Sequence, residues 1–233
     1  MDYEPACQLQ ISLSRHLLNH QEFSGYLLFL EHPHTITFGY SLKGDEGKNH
    51  LRVSEEFLKK RGVKIFRTDR GGKATYHGPG QLIIYPILNL NQFRLSAKAY
   101  VGKLEQCVIN WLWKLGLDAD RDPDYPGVWI GDKKIASVGV RIENRVSRHG
   151  IAVNLWPDLS YFNYIVPCGI PERELTSYLQ LTGKRLELKQ ALSGLGSEFE
   201  QVFEMKLKAI EQEMLINKGG WDDDQGMADA GAV

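Results

Sequence analysis

The chain has 233 residues, of which 42% are hydrophobic and 24% charged, the composition of a globular protein with one sizeable core. Its 28 basic residues nearly balance its 29 acidic residues, which argues against a general nucleic-acid-binding protein. No apolar run approaches the length of a membrane span, and no secretory signal is recognisable at the start.

The first half predicts a helix and then strands that alternate with short helices. Leucines at steps of four indicate an amphipathic helix at about residues 5–20. Four strands and a short helix are expected after it: strands at 25–30, 35–38, 63–67 and 82–90, and a helix from Ser54 to Gly62. Pro86 suggests that the last of these strands is an edge strand or contains a bulge.

The second half predicts a buried helix, a three-stranded meander and a helical end. Residues 103–115 place Leu104, Cys107, Val108, Trp111, Leu112 and Leu115 on one buried helix face. Strands are expected at 128–130, 135–142 and 151–155, with turns at 131–133 and 143–149 and one or two helices within 187–215. The fold class is therefore α/β or α+β, a mixed, mostly antiparallel sheet flanked by helices.

The chain divides into one domain, residues 1–217, and a tail, residues 218–233, which is rich in Gly and Asp and is expected to be disordered. The odd, widely spaced cysteines Cys7, Cys107 and Cys168 fit neither a disulfide framework nor a CxxC metal site. They indicate a reducing, cytoplasmic setting.

A glycine-rich segment, Arg70–Gln81 (RGGKATYHGPGQ), is the first candidate site. Four glycines and a proline in twelve residues predict a loop whose backbone N–H groups can approach a ligand or hold an oxyanion. An ordinary surface loop is the alternative. Interleaved polar residues that tight turns do not need favour the functional interpretation: Arg70, Thr75, Tyr76 and His77. The segment lacks the Walker pattern of nucleotide-binding loops.

Lys134, in Gly131–Gly139 (GDKKIASVG), is the second candidate. Counting by twos along the predicted strand puts it on one face with Ala136 and Val138, and Ser137 and Gly139 on the other. A lysine on a small apolar face is either a solvated strand end or a desolvated ammonium held for catalysis.

Cys168, in Ile165–Pro171 (IVPCGIP), is the third candidate. Proline fixes the approach of the chain, and glycine leaves space beside the sulfur. Most cysteines in proteins are buried and structural, and Cys107, on the apolar stripe of a predicted helix, fits that role better than Cys168 does. A metal site from His32, His34, His77 and His149 is conceivable, but their spacing matches no known pattern, and no metal is expected. A solvated turn is the simpler account of His32 and His34.

Together, RGGKATYHGPGQ, KKIASVGVR, HGIAVNL and IVPCGIP resemble the lipoyl(octanoyl) transferase family. The likeness covers about residues 5–205, with the segments in the family's order and spacing. The resemblance implies the α/β domain shared with biotin and lipoate protein ligases. It also implies octanoyl transfer from acyl carrier protein to lysines of lipoyl domains, in 2-oxoacid dehydrogenases and glycine cleavage H protein, as the first step of protein lipoylation, without a cofactor.

The resemblance also assigns roles to residues. Cys168 is expected to carry the acyl thioester, and Lys134 to lower the pKa of its thiol. Three segments are expected to contact the substrate: Arg70, Gly71, Gly72, Lys73, Ala74, Thr75, Tyr76 and His77; Ser137, Val138 and Gly139; Gly150, Ile151 and Ala152. The alternatives are an ATP-dependent lipoate or biotin ligase, a lipoyl amidotransferase, and a non-catalytic protein that binds acyl carrier or lipoyl domains.

Overall fold

The computed structural model describes residues 1–42, 44–166 and 174–210, and predictions on the remaining residues, including Cys168 and the tail, lie outside this range. The α-helices within it are α1 (Tyr3–Asn19), α2 (Glu55–Lys60), α3 (Ala97–Lys114), α4 (Tyr178–Thr182) and α5 (Leu188–Phe203). The strands are β1 (Gly25–Leu30), β2 (Thr35–Phe38), β3 (Lys64–Arg67), β4 (Ala74–His77), β5 (Gln81–Leu88), β6 (Ala119–Arg121), β7 (Val128–Ile130), β8 (Lys133–Glu143) and β9 (Val146–Asn154). Short 3-10 helices span Gly44–His50 and Leu159–Tyr164.

The strands form two sheets. The larger has the order β1-β5-β9-β8-β7-β6 with antiparallel neighbours throughout. The smaller has the order β3-β2-β4, with β2 parallel to β3 and antiparallel to β4. The predicted class, mixed and mostly antiparallel with flanking helices, is confirmed, although the sequence did not indicate the division into two sheets.

Helices cover both faces of the larger sheet, and β5 shows how. Its residues Leu82, Ile84 and Leu88 lie in the core formed with α3 and α5. The alternate residues Ile83, Tyr85 and Ile87 lie in a second core formed with α1. A strand buried on both faces needs apolar residues at every position, and this explains the continuous run LIIYPIL. No helix in the described ranges is long and apolar enough to cross a bilayer.

The structure corrects the prediction that the glycine-rich segment is a loop throughout. Its glycines and proline lie towards the two ends, and four of the five residues between Gly72 and Gly78 form β4. This strand pairs with β2 from Thr35↔His77 to Phe38↔Ala74. A run of five residues without Gly or Pro is therefore enough to add an edge strand to the smaller sheet.

The predicted turn at 143–149 is too long, because β9 begins at Val146 rather than at 151. Only Asn144 and Arg145 connect β8 to β9, with φ of 48° and 67°. Two residues with positive φ form the tight hairpin whose twist matches that of its strands. The polar sequence ENRVSRH concealed a strand whose first two residues, Val146 and Ser147, are buried.

Pro86 lies in a central strand, so the prediction of an edge strand is wrong. Pairing of β5 with β9 stops at Ile84↔Ile151, before the proline. The Ser147 hydroxyl replaces the missing ladder contacts, donating to the Pro86 carbonyl at 2.8 Å and accepting from the Leu88 N–H at 2.9 Å. A central strand tolerates a proline here because a side chain substitutes for the backbone.

Candidate functional site

Three sequence-predicted segments meet at the junction of the two sheets. Ser137, Val138 and Gly139 on β8 pair directly with Ala152, Ile151 and Gly150 on β9. The glycine-rich segment joins them through a bond of 2.9 Å from the Gly71 N–H to the Val140 carbonyl. A Cβ on Gly139 would lie 3.1 Å from the Gly71 carbonyl oxygen, so the absence of a side chain permits this close approach.

A cavity of about 520 Å³, here called the lysine cavity, opens at this junction. Ligand sites in proteins have volumes of about 300–1,000 Å³, so it is large enough for a small molecule. The described residues that line it come from the glycine-rich segment, α3, β7, β8, the second 3-10 helix and neighbouring loops: Gly71, Gly72, Ala74, Thr75, Val101, Asp124, Tyr125, Pro126, Trp129, Lys134, Ser137, Val138, Gly139, Val140, Phe162 and Leu175.

A narrower space, here called the inner pocket, shares a wall with the lysine cavity and has a volume of about 40 Å³. The common wall consists of Thr75 and Ser137–Gly139. Deeper in the protein the inner pocket is lined by Arg70, His77, Ile83, Tyr85, His149, Gly150, Ile151 and Ala152. Residues of all three predicted substrate segments therefore line the inner pocket, next to the lysine cavity.

Lys134 lies in the wall of the lysine cavity with only 9% of its surface exposed. Its Nζ donates to the Pro126 carbonyl at 3.0 Å and lies 4.7 Å from the centre of the Trp129 ring. A Cβ on Gly127 would lie 3.2 Å from the lysine Cε, so glycine leaves room for the stem. A buried ammonium requires such partners, because it has lost most of its water. The solvated-strand-end alternative is therefore wrong.

A bulge corrects the predicted face of Lys134. Trp129 pairs with Lys134 but Val128 pairs with Ala136, so Ile135 is an extra residue on β8. Ile135 and Ala136 both lie in the core, whereas Lys134 and Ser137 line the lysine cavity. Counting by twos across this position failed because the extra residue reverses the alternation.

The chain that follows the Cys168 segment runs beside Lys134. The backbone N–H of Lys134 donates to the Glu174 carbonyl at 3.0 Å, and its carbonyl accepts from the Thr176 N–H at 2.9 Å. Leu175, between them, forms a parallel bridge with Lys134. Cys168 itself lies outside the described residues. In the sequence it is two positions after Val166, whose N–H donates to the His50 carbonyl, and six before Glu174.

Arg70 holds the glycine-rich segment in shape. Its guanidinium donates to the Thr37 carbonyl at 2.7 Å, to the Gly71 carbonyl at 2.9 Å and to the Lys73 carbonyl at 2.8 Å. It also donates to the Thr37 hydroxyl. One buried side chain therefore connects β2 to the first part of the glycine-rich segment.

Two residues of the glycine-rich segment, Lys73 and Tyr76, line neither the lysine cavity nor the inner pocket. The Tyr76 ring is fully buried in the core of the smaller sheet, and its hydroxyl lies 2.7 Å from His34 Nδ1. Alternation along β4 directs its neighbours Thr75 and His77 to the inner pocket instead.

The histidines of the inner pocket are neutral groups. Burial lowers the pKa of His77 well below its usual value, and its Nδ1 lies 2.8 Å from Gln81 Oε1. Burial also lowers the pKa of His149, although Asp69, 2.8 Å from its Nε2, opposes the shift. The same contact lowers the pKa of Asp69 to about 2. Uncharged imidazoles make this pocket compatible with an apolar ligand.

The structure contradicts the solvated-turn account of His32. His32 is 1% exposed, with its Nε2 2.9 Å from the Tyr85 hydroxyl. His34 lies in a different cluster, stacked on Tyr161 with ring centres 4.3 Å apart. Within the described residues no group of three or more His, Cys, Asp or Glu could hold a metal ion.

The two described cysteines are poor nucleophile candidates. Burial raises the pKa of the Cys7 thiol to about 11. Burial likewise raises the pKa of Cys107, which lies in the core on α3 as its helix stripe predicts. Both thiols are therefore protonated at neutral pH, and a thiolate is the reactive form.

Sequence reasoning missed the residues that surround Lys134. The Pro126 carbonyl, the Trp129 ring and the backbone of Leu175 all contact it, and Glu105 supports the loop that contains Pro126. The pattern PGVW, close before Lys134 in sequence, was a usable signal. Glu105 was another, as a charged residue among the apolar residues of a buried helix face.

Comparisons with known proteins show the family to which the chain is similar. The family model for the lipoyl protein ligase A/B catalytic domain matches residues 2–200. An octanoyltransferase of Solibacter usitatus is 39% identical over 207 residues, which are 89% of this chain and 91% of that protein. An octanoyltransferase of Bacteroides fragilis is 42% identical over 185 residues, 77% of this chain and 82% of that protein.

A similar fold occurs in the bipartite lipoate protein ligase of Thermoplasma acidophilum. The two structures superpose with a TM-score of 0.66 over 93% of this chain and 88% of that chain. At 19% sequence identity this likeness concerns the fold alone.

Proposed function

The chain belongs to the lipoyl protein ligase A/B catalytic domain family and is an acyltransferase of the octanoyltransferase type, and from this we propose the route of the acyl group. The group passes from octanoyl-acyl carrier protein to Cys168 as a thioester, and then to a lysine of a lipoyl domain. The observation that best supports this route is the buried ammonium of Lys134, whose backbone is bonded to the chain that continues from the Cys168 segment.

The first half-reaction loads the enzyme. The enzyme begins this step as a Cys168 thiolate beside the Lys134 ammonium, because the thiol proton resides on Nζ of Lys134. The sulfur attacks the thioester carbonyl of the donor, a new C–S bond forms, and the bond to the carrier's sulfur breaks. The leaving thiolate takes the proton from Lys134 and departs as a thiol. One thioester replaces another, so the step needs no ATP.

The second half-reaction delivers the acyl group. The neutral amine of the acceptor lysine attacks the acyl carbon, a C–N bond forms, and the C–S bond to Cys168 breaks. The amine's proton passes to neutral Lys134, so the thiolate–ammonium pair is restored. Backbone N–H groups near the reacting carbon stabilise the oxyanion, each contributing about 3 kcal/mol. The Gly71 N–H is already bonded to Val140, so these donors come from elsewhere.

The octanoyl chain occupies the lysine cavity and the inner pocket, between the three segments that meet there. Each methylene removed from water contributes about 0.8 kcal/mol, so an eight-carbon chain gains several kcal/mol. The neutral histidines and Tyr85 at the inner end form the wall that limits chain length. Enclosure of the acyl group also protects the thioester from water.

The other assignments follow from the same route. The catalytic domain comprises residues 1–217, and residues 218–233 form a tail outside it. The acceptors are the lipoyl domains of 2-oxoacid dehydrogenases and glycine cleavage H protein, and the reaction is the first step of endogenous protein lipoylation in the cytoplasm.

Transfer assays with and without ATP test the proposal against the ligase alternative. We expect octanoyl transfer from the carrier protein to an apo lipoyl domain without ATP, and its loss in Cys168→Ser. Cys7→Ser is the matched control, because Cys7 is a protonated thiol on α1 that lines neither cavity, and it should retain full activity. Transfer that requires free octanoate and ATP, or that persists in Cys168→Ser, would contradict the proposal.

A further inference from the structure

Glu105 is a buried carboxylate that the acyl-transfer route does not use. It lies on α3 and is 5% exposed, whereas glutamates are usually solvated. Its Oε1 accepts the N–H of Gly127 at 2.8 Å, and its Oε2 accepts Nε of Arg121 at 3.2 Å. A charge buried on a helix at this depth needs such partners.

The bond to Gly127 connects Glu105 to Lys134. The N–H of Gly127 and the carbonyl of Pro126 belong to one planar peptide group. Its N–H faces Glu105, and its carbonyl oxygen accepts the Lys134 ammonium at 3.0 Å. The carboxylate and the ammonium therefore lie at opposite ends of one polarised unit, and a carboxylate at the N–H end strengthens the oxygen as an acceptor.

The loop that presents this peptide group is fixed at other points as well. Asp122 accepts the N–H groups of Asp124 and Tyr125 at 2.9 and 3.0 Å, and Trp129 donates from its indole to the Tyr125 carbonyl at 3.1 Å. These contacts hold the loop itself. Of these contacts and the one from Glu105, only that from Glu105 brings a charge to the peptide group that contacts Lys134.

Resting on the proposed function, we infer that Glu105 is a positioning residue for acyl transfer, which acts on Lys134 through the Pro126–Gly127 peptide group. It holds the carbonyl oxygen that fixes the ammonium in the cavity wall, and its charge favours the protonated form of Lys134 beside the thiolate. Arg121 is the charged partner of Glu105, and the Trp129 ring is the second partner of the ammonium.

Glu105→Gln tests the charge while keeping an oxygen that can accept the Gly127 N–H. We expect kcat for octanoyl transfer to fall about tenfold, the typical effect of one hydrogen bond to a charged group, with KM for the donor unchanged. The rate of Cys168 alkylation by iodoacetamide, followed by peptide mass against pH, should show its midpoint shifted upward. Glu198→Gln is the matched control, a buried glutamate on α5 bound to Lys114, and should leave both measurements unchanged.

A double-mutant cycle separates this role from a structural one. In a Lys134→Ala background, Glu105→Gln should not shift the alkylation midpoint further, because the group it acts on is absent. Equal shifts in both backgrounds, or a wild-type profile in Glu105→Gln, would overturn the inference. If Glu105→Gln does not fold, Glu105→Asp retracts the carboxylate from Gly127 and should shift the midpoint in the same direction. Alkylation does not depend on the acyl donor, so a wild-type protein without an acyl adduct would instead refute the proposed function.

Discussion

The buried ammonium of Lys134 has lost most of its hydrating water. The Pro126 carbonyl oxygen and the face of the Trp129 ring contact it instead. The exposed lysine beside it in sequence has a different environment, since Lys133 pairs with Glu174 at 2.7 Å on the surface. Neighbouring residues of one type therefore have separate roles. A surface ion pair contributes about 0–1 kcal/mol, whereas a buried ammonium in a cavity wall is available for chemistry.

Lys134→Ala should reduce octanoyl transfer by about 10²-fold or more, the usual contribution of a positioned proton-transfer group. The loss arises because no ammonium then lies beside the Cys168 thiolate, and no neutral amine accepts the proton of the attacking lysine. Steady-state assays with octanoyl-carrier protein measure it. Lys133→Ala is the control and should transfer at the wild-type rate. Equal losses in the two variants would indicate that the strand end, rather than the ammonium, matters.

At this scale the sequence identified Lys134 but not its surroundings. A lysine on a strand of small apolar residues was visible as unusual, whereas its orientation depended on the extra residue Ile135. The partners of Lys134 come from Pro126 and Trp129, on a loop and a neighbouring strand, and local pattern does not predict such contacts. Cys168 was predicted from its Pro–Gly context and the family resemblance and stays a prediction.

The hairpin of β8 and β9 is the element on which the site depends, and it requires a glycine at its centre. Gly150 pairs with Gly139, and a Cβ on Gly150 would collide with the Ile84 carbonyl oxygen and with Pro86. The neighbouring strand β5 therefore approaches β9 only because residue 150 has no side chain.

Gly150→Ala should lower the free energy of unfolding by about 2–3 kcal/mol, since overpacking forces the backbone of β5 and β9 apart. Gly102→Ala is the control on α3, where a Cβ would meet no atom within 4 Å. It should raise the free energy of unfolding by up to about 1 kcal/mol, because alanine favours a helix interior. Urea denaturation measures both. The account of the hairpin fails if Gly150→Ala is as stable as the wild type.

Most elements were predictable because their periodicity is strong. The first two strands have the predicted bounds, and the buried face of α3 contains residues expected from the helical stripe. The errors occur where another contact outweighs the local pattern. Pairing with β2 orders Ala74–His77 as a strand, and Ser147 completes the ladder around Pro86.

The whole molecule buries several neutral histidines between its sheets and α1. Burial lowers the pKa of His32 to about 4, and it lowers those of His77 and His149 as well. In the unfolded chain these groups take up protons near their usual pKa of about 6.5. The unfolded state therefore binds more protons than the folded state below that pH, and stability falls as pH falls.

We expect the free energy of unfolding to decrease between about pH 6.5 and the folded pKa of about 4, with His32 alone accounting for about 3 kcal/mol. Urea midpoints across this range measure the decrease. His32→Gln should flatten the dependence, whereas His20→Gln, at the half-exposed end of α1, should not. If the free energy of unfolding of the wild type does not change across this range, the claim that the folded protein buries neutral histidines is contradicted.

For the whole molecule, the sequence predicted the fold class but not the arrangement of the strands in two sheets. Interleaved helices and strands indicated an α/β or α+β domain. Which strands share a sheet depends on long-range pairs such as β1 with β5, which the order along the chain does not reveal. The convergence of the three predicted substrate segments likewise follows from long-range contacts, the pairing of β8 with β9 and the bond from the Gly71 N–H to the Val140 carbonyl.

The thioester on Cys168 can be detected by intact mass after incubation with octanoyl-carrier protein, without ATP. We expect one octanoyl group on the wild-type protein, mapped to the peptide containing Cys168 and removed by hydroxylamine, and none on Cys168→Ser. Lys134→Ala should acquire the adduct more slowly. A wild-type protein that transfers octanoyl groups without acquiring this adduct, or that carries it on Cys7 or Cys107, would contradict the account.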